Sequence, residues 1–235
     1  MTLYEAIFIR RTVRKYDMKP VEDGIIEGIK AIIENADSIE GEGARFEFAP
    51  GSEMKANSAP HYILAFCDDD DAAYANVGYV LQQADLYIQS IGLGSRWYGT
   101  TKPKKKKAAF CIVLEFGNTD APRRNGAEDF KRLSAAEISN AVSDVDLRIA
   151  EAARLAPSGV NSQPWKLDFT DGKVTIRYFR REVVDALFPK YGKIDLGIVA
   201  RHVELALRNE GRDIQHVTAS GQGKNFAIEI ETLMK

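Results

Sequence analysis

The spacing of apolar and polar residues along the chain predicts alternating helices and strands. In the first part, a capping box at Thr2 to Glu5 begins a short helix, and apolar residues at helical spacing predict helices over 22–36 and about 72–91. Short apolar runs predict strands at 45–48, 61–67 and 109–116. Gly92 ends the long helix.

A polar stretch without periodicity, residues 117–142, predicts a connection between two units, 1–142 and 143–235. The second unit begins with a helix capped at Ser143, which Pro157 ends. A hairpin around Asp171-Gly172, a helix over about 194–210 and a strand over 225–231 follow. The order of elements in the second unit therefore resembles that in the first.

The two units also share residues at equal spacing. One constant shift in numbering aligns Gly78 with Gly197, Gly92 with Gly211 and Asn76 with Asp195. Helices share periodicity by chance, but equal glycine spacing within a similar order of elements favours an internal duplication. We therefore predict an α+β fold in which two intertwined units form one body, an internal pseudo-dimer.

Three motifs contain candidate chemistry, and they are divided between the units. The first unit has Arg10-Arg11-Thr12-Val13-Arg14-Lys15-Tyr16 and the loop Gly92-Leu93-Gly94-Ser95-Arg96-Trp97-Tyr98-Gly99. The second has Ala156-Pro157-Ser158-Gly159-Val160-Asn161-Ser162-Gln163-Pro164-Trp165, where the first unit has only Asp37-Ser38-Ile39-Glu40-Gly41. Each unit therefore lacks a motif that the other keeps.

These motifs resemble those of the nitroreductase family of FMN enzymes. The resemblance implies a mixed, largely antiparallel sheet wrapped by helices. Family members are homodimers in which one subunit supplies the arginine motif and glycine-tryptophan loop, and the other supplies the proline-serine turn. Because the motifs here lie in different units, the chain resembles a dimer fused into one polypeptide with one retained site. A functional monomer and a homodimer both remain open.

The resemblance also implies roles for individual residues. Arg10, Arg11 and Thr12 would bind the FMN phosphate, which bidentate guanidinium groups suit well. Arg14 would lie toward the ribityl chain and flavin N1/O2, where a cation stabilises the reduced ring. The backbone N–H of Gly99 would meet flavin N5, with Tyr98 or Thr100 as neighbouring candidates.

Further candidates are Pro157 and Ser158 at the turn, the amides of Asn161 and Gln163, and Arg123 and Arg124 as a later basic stretch that reaches the phosphate. Each has a plainer interpretation. The first arginines could be a solvated helix end, 157–164 a helix stop, and Arg123 and Arg124 a solvated loop. Arg96 departs from the family pattern, which often has a small residue there.

The implied function is an FMN-dependent oxidoreductase that takes hydride from NADH or NADPH and reduces a nitroaromatic, a quinone or a similar small acceptor. Alternatives within flavin enzymes are a flavin reductase or an enzyme for iodinated or enone substrates. A flavin-binding or storage protein without turnover, or a degenerate relative without flavin, is the alternative outside catalysis.

Composition excludes several other classes. The 235 residues are 45% hydrophobic and 28% charged with a net charge of -2, which predicts a globular protein that does not bind nucleic acid. No apolar run is long enough for a membrane span, and the N-terminus is not typical of a signal peptide. The two cysteines predict buried thiols and a cytoplasmic location. The histidines lack metal-ligand spacing.

Overall fold

Helices and strands alternate in the computed structural model, which describes residues 1–179 and 189–233. Within these residues the helices are α1 (Leu3–Ile9), α2 (Asp23–Glu34), α3 (Asp71–Ser90), α4 (Ala135–Ile138), α5 (Asp144–Arg154) and α6 (Pro189–Asn209). The strands are β1 (Arg45–Pro50), β2 (His61–Phe66), β3 (Gly94–Trp97), β4 (Phe110–Gly117), β5 (Trp165–Thr170), β6 (Lys173–Tyr178), β7 (Asp213–Ser220) and β8 (Ala227–Leu233).

The strands form two separate sheets of four, in the orders β1-β2-β4-β3 and β5-β6-β8-β7. Every pair of neighbouring strands is antiparallel. Parallel pairing occurs in isolated bridges, Thr12 with Ser95 and Ser139 with Leu167. The predicted α+β class is confirmed, but the single mixed sheet is instead two antiparallel sheets of equal strand order.

Helix starts follow the side chains that the sequence places there. Thr2 and Glu5 form a reciprocal capping box at α1. The carboxylate of Asp70 accepts hydrogen bonds from the first turn of α3, and the hydroxyl of Ser143 does the same at α5. These caps explain why the predicted starts lie within a residue or two of the observed ones.

Three elements have no recognisable signal in the sequence pattern. β7 has mostly exposed or half-buried residues, so it lacks the alternation that marks a half-buried strand. β3 is only four residues long and begins with Gly94 and Ser95, which carry no strand signal. The one-turn helix α4 lies within 117–142 and is too short to show a period.

Helices α3 and α6 pack against each other through glycines in a reciprocal arrangement. A Cβ atom on Gly78 would lie 2.0 Å from the carbonyl oxygen of Ile194, and one on Gly197 would lie 1.8 Å from that of Ala75. The pair Ala75 and Gly78 is thus matched by Ile194 and Gly197 at the same spacing. Only glycine permits this backbone contact.

Residues from both parts of the chain, before and after residue 142, share one hydrophobic core. A continuous cluster of buried residues runs from α1 through α3 and α6 to the strands of both sheets. A smaller cluster, which includes Met54 and Tyr62, covers the other face of the first sheet. No helix in the described ranges is long and apolar enough to cross a membrane.

Candidate functional site

The three motifs line one cavity of about 420 Å³. The first motif contributes Arg10, Thr12 and Arg14, the loop contributes Arg96 to Thr100, and the turn contributes Pro157 to Val160 and Ser162. Helix α6 closes another side with Tyr191, Asp195 and Ile198. Segments far apart in the sequence are therefore brought together, as the pseudo-dimer prediction requires.

Arg10 forms a buried ion pair beneath the cavity. Its side chain is 1% exposed, and its Nε lies 2.6 Å from Oδ2 of Asp85, which is fully buried in α3. The hydroxyl of Ser95 donates to the other carboxylate oxygen at 2.5 Å. Asp85 therefore fixes the direction in which the guanidinium of Arg10 points, because both carboxylate oxygens are engaged.

Arg14 provides a different kind of cation at the cavity. It is exposed, and its guanidinium forms no hydrogen bond or ion pair within residues 1–179 and 189–233. The preceding backbone is held by the N–H of Val13, which donates to the carbonyl of Ser95 at 3.0 Å. Arg14 is therefore a positioned charge available to a negatively charged or carbonyl-bearing ligand.

Two further arginines surround Arg10. Arg124 donates to the carbonyl of Arg10, and its guanidinium stacks 4.0 Å from the ring centroid of Phe130. Burial, then the charges of Arg10 and Arg11, lower the pKa of Arg124. Burial, then the charges of Arg10, Arg124 and Arg154, lower the pKa of Arg132 to about 10. Such mutual repulsion among poorly solvated cations favours an anion nearby.

The turn after α5 has an unusual backbone held in place by hydrogen bonds. Val160, Asn161 and Gln163 have positive φ angles of 47°, 61° and 48°. The N–H of Gly159 donates to both carboxylate oxygens of Asp195, at 3.0 and 3.2 Å. The hydroxyl of Ser158 accepts from the N–H of Gln163 at 2.9 Å. Strained backbone of this kind is typical of ligand sites that are built in advance of binding.

The loop at Gly99 forms the opposite wall. The hydroxyl of Tyr191 donates to the Gly99 carbonyl at 2.5 Å, and a Cβ on Gly99 would lie 3.0 Å from the Tyr191 ring. The N–H of Gly99 has no hydrogen-bond acceptor in the part of the chain that the structure describes. The Gly99 N–H is therefore a donor available to a ligand in the cavity.

Arg96 lies in the same wall but is neutralised. Its Nε is 2.7 Å from Oε1 of the fully buried Glu115, and its guanidinium stacks 3.7 Å from the centroid of Tyr98. The hydroxyl of Ser58 donates to Glu115 at 2.6 Å. This network supports the loop from behind, which gives a structural role to the residue that departs from the family pattern.

Five predicted site residues lie outside the cavity lining. Arg11 donates to the carbonyl of Pro122 at 2.7 Å and lines a separate groove, which Thr12 and Arg14 also border. Arg123 donates to the carbonyl of Gln89 at 3.1 Å, near the end of α3. These two arginines bind backbone carbonyls, whereas Arg124 stays in the cationic cluster around Arg10.

The amides of Asn161 and Gln163 are turned away from the cavity. Asn161 donates to the carbonyl of Lys131 at 3.0 Å and accepts from Arg132. Gln163 accepts from the N–H of Leu133 at 2.8 Å. These amides therefore hold the 131–133 segment, which carries Arg132, a neighbour of Arg10 in the arginine cluster.

Three residues at the site were not among the predicted site residues: Tyr191 and Asp195, which line the cavity, and Arg132, which lies near Arg10. Tyr191 lies before the predicted start of the last helix, which the structure places at Pro189. In the sequence, Asp195 stands out only as the counterpart of Asn76. Arg132 lies in the polar connection, where no spacing distinguishes a site residue from a solvated one. The repeat alignment was the signal that could have identified Asp195.

The sequence matches a family model described as "Putative TM nitroreductase" over residues 2–207. A search of curated proteins found no match. Among solved structures, the fold is similar to that of a nitroreductase from Thermotoga maritima, with a TM-score of 0.72 and 20% identity over 98% of this chain and 94% of that chain.

Other nitroreductase structures match only part of this chain. A nitroreductase family protein from Clostridium difficile 630 has a TM-score of 0.48 and 15% identity, covering 61% of this chain and 99% of its own. An FMN-dependent nitroreductase from Clostridium difficile R20291 has a TM-score of 0.43 and 18% identity, covering 53% and 93%.

Proposed function

The chain belongs to the TM nitroreductase family, and from that premise we propose that it binds one FMN between its two units and works as an FMN-dependent NAD(P)H oxidoreductase. The observation that carries the proposal is the cavity in which Arg10, Arg14 and Gly99 of one unit face Pro157 and Ser158 of the other. Its residues fit a ligand with a phosphate at one end and an aromatic ring at the other.

The phosphate would lie at the arginine cluster. Arg10 is directed by Asp85, and Arg124 and Arg132 have pKa values lowered by burial and by neighbouring arginines. A dianion would relieve this repulsion and accept hydrogen bonds from the guanidinium groups. The hydroxyl of Ser158 lines the cavity and can donate, since in the protein it acts as an acceptor.

The ring would lie between the Gly99 loop and helix α6. When bound, FMN supplies hydride chemistry, accepting two electrons from NADH or NADPH and passing them to a nitroaromatic, a quinone or a similar acceptor. The Gly99 N–H would donate to the ring, and the charge of Arg14 would stabilise its reduced, anionic state. The apolar side chain of Ile198 would keep water from one face.

We further infer that the chain is an internal duplication of units 1–142 and 143–235. Identical sheet orders and the reciprocal glycine contacts support this. Asn76 accepts from the N–H of Ile39 at 2.9 Å, as Asp195 accepts from that of Gly159. The first hydrogen bond joins α3 to the segment after α2, and the second joins α6 to the turn after α5, so the two bonds connect corresponding elements.

At the position that corresponds to Asp85, the other half has a buried cluster of mutually bonded side chains. Glu204, which corresponds to Asp85, accepts hydrogen bonds from Arg201 and from the hydroxyl of Tyr79 at 2.8 Å. Arg201 also donates to the carbonyl of Asp37 at 2.7 Å, and it stacks on the Tyr79 ring. The side chains of Glu204, Arg201 and Tyr79 are all buried. We therefore expect one FMN per chain.

Anaerobic reduction of the FMN-loaded chain tests the enzymatic part of the proposal. Addition of NADH or NADPH should bleach the oxidised flavin absorbance, and a nitroaromatic or a quinone should restore it with multiple turnover. Tight FMN binding without reduction by either nucleotide would reject the oxidoreductase and favour a storage protein. A chain that cannot be loaded with FMN would reject both.

A further inference from the structure

Two short segments near the cavity, residues 53–55 and 102–106, form a basic surface that we call the lysine ribbon. Its exposed basic residues are Lys55, Lys102, Lys104, Lys105 and Lys106. Apart from Lys104, whose ammonium group donates to the carbonyl of Ser52 at 2.7 Å, these lysines form no side-chain hydrogen bond or ion pair within residues 1–179 and 189–233. The next lysine, Lys107, is instead paired with Glu47. The ribbon therefore presents cations that the described chain leaves available.

The backbone holds two of these lysines directly opposite each other. The N–H of Lys55 donates to the carbonyl of Lys102 at 3.0 Å, beside an antiparallel bridge between Met54 and Pro103. Both bridge residues are buried. Because side chains alternate between the two faces of a strand, Lys55 and Lys102 share the opposite, exposed face. Like charges directly opposite each other destabilise a strand pair, so this arrangement favours a bound anion.

The lysine ribbon has little acidic side chain to balance its charge. The N–H of Lys104 donates to the carbonyl of Glu53 at 2.8 Å, which places Glu53 opposite Lys104. Within 53–55 and 102–106 the sequence has five lysines and one carboxylate, that of Glu53. The ribbon therefore has an excess of positive charge, which suits an anionic ligand.

The lysine ribbon continues directly from the wall of the cavity. Thr100 lines the cavity and Lys102 follows two residues later, so at most about 7 Å of extended backbone separates them. The buried hydroxyl of Thr101 accepts from the N–H of Ala56 at 3.2 Å, which joins the two segments at this point. A ligand whose reacting end lies in the cavity can therefore reach the ribbon with its other end.

A second cationic groove borders the cavity through Arg14, with Arg11 and Lys15 in its lining. Asp17 and Asp120 line the same groove, and Arg11 donates to a backbone carbonyl. The positive charge of this groove is therefore largely balanced, whereas that of the lysine ribbon is not. The lysine ribbon is the better site for a further phosphate.

We propose that the lysine ribbon binds the 2′-phosphate of NADPH, which makes NADPH the preferred electron donor; this inference rests on the proposed FMN site. A nicotinamide ring that contacts the flavin leaves the adenosine end of the dinucleotide outside the cavity. A phosphomonoester carries a charge of about −1.5 to −2 at pH 7, and it would offset the repulsion between Lys55 and Lys102. NADH lacks this group and gains nothing from the ribbon.

Calorimetric titration with NADP⁺ and with NAD⁺, on the chain with and without FMN, tests the site without relying on turnover. The wild-type chain should bind NADP⁺ more tightly than NAD⁺. The double variant Lys55→Gln, Lys102→Gln should weaken NADP⁺ binding by roughly twofold to fivefold for each exposed lysine and leave NAD⁺ binding unchanged. The control is Lys224→Gln, because Lys224 is exposed and lies outside the cavity lining.

Steady-state kinetics of the FMN-loaded chain separate this inference from the proposed function. The double variant should raise the KM for NADPH and leave both its kcat and the KM for NADH unchanged, because the ribbon contacts only the distal phosphate. Absence of flavin reduction by both nucleotides would reject the oxidoreductase, while the titrations would still decide what the ribbon binds.

Equal wild-type affinities for NADP⁺ and NAD⁺ would overturn the proposal, and so would wild-type affinity for NADP⁺ in the double variant. Lys15→Gln distinguishes the two cationic surfaces, since Lys15 lines the groove beside Arg14. It should leave NADP⁺ binding unchanged. A loss of affinity in Lys15→Gln that matches or exceeds that in the double variant would assign the phosphate to the groove and reject the lysine ribbon.

Discussion

The Nε of Arg10 lies 2.6 Å from Oδ2 of Asp85, and neither side chain is more than 1% exposed. A buried ion pair costs more to break than an exposed one, because the remaining charge stays unsolvated. The pair joins the arginine motif to the helix that packs against α6. Its integrity should therefore affect both folding and the candidate phosphate site.

Replacement of Asp85 by Asn should lower the free energy of unfolding by about 3–5 kcal/mol, because Arg10 would keep its charge in a buried position. Urea denaturation of the FMN-free chain measures this directly. The matched control is Asp37→Asn, because the Asp37–Arg208 pair has side chains that are 66% and 50% exposed. That change should cost about 0–1 kcal/mol. Equal effects would contradict the structural role of Asp85.

Arg14→Gln should weaken FMN binding roughly tenfold to a hundredfold, because one charge-assisted hydrogen bond is worth about 1.5–3 kcal/mol. The fold should be unchanged, since Arg14 is exposed and its guanidinium has no partner within the described ranges. Fluorescence titration of the apoprotein with FMN gives the dissociation constant. Lys15→Gln is the control, because Lys15 is exposed and lies outside the cavity. Similar affinities for both variants would reject the role given to Arg14.

The contact between α3 and α6 predicts that Gly197→Ala is poorly tolerated. The added Cβ would lie 1.8 Å from the carbonyl oxygen of Ala75, and backbone on both sides resists movement. We expect the free energy of unfolding, measured by urea denaturation, to fall by about 1–3 kcal/mol or more. Gly24→Ala in α2 has open space around the new methyl group and should be neutral or stabilising. A stable Gly197→Ala chain would disprove the close helix contact.

His202 predicts a loss of stability in acid. It is fully buried between Gln82 and the carbonyl of Ala152, and burial lowers its pKa from 6.5 to about 4. The unfolded chain binds a proton below pH 6.5 that the folded chain does not take up until about pH 4. Stability should therefore fall by on the order of 3 kcal/mol as the pH drops across that interval.

The measurement is the free energy of unfolding by urea at several pH values for the wild-type chain and for His202→Asn. The asparagine can still donate to the Ala152 carbonyl but does not titrate in this interval. The decrease between pH 6.5 and 4 should be smaller in the variant by the His202 contribution. Parallel curves for the two proteins would show that another group causes the acid sensitivity.

The sequence predicted most of the fold because caps and apolar spacing are local signals. The capping box at Thr2 and the N-caps of α3 and α5 fixed helix starts. The edge strand β7 was missed because tertiary pairing with β8, not burial of alternate residues, determines it. The division into two sheets depends on how β-strands assemble across the whole chain, which no local pattern contains.

The sequence predicted the site residues that belong to local motifs. It did not predict hydrogen-bond partners that depend on which segments pack together in three dimensions. Arg10, Arg14, Gly99, Pro157 and Ser158 line the cavity as the motifs suggested. The amides of Asn161 and Gln163 bind the 131–133 segment instead, because that segment packs against the turn in three dimensions. Whether the cavity residues bind flavin stays a prediction.

The most direct test is the stoichiometry of FMN on the purified 235-residue chain, from flavin absorbance after release and an independent protein concentration. We expect one FMN per polypeptide, because the three motifs meet at one cavity. Its binding should be lost or strongly weakened in Arg14→Gln. Two FMN molecules per chain, or a folded chain with no measurable affinity for FMN, would contradict it.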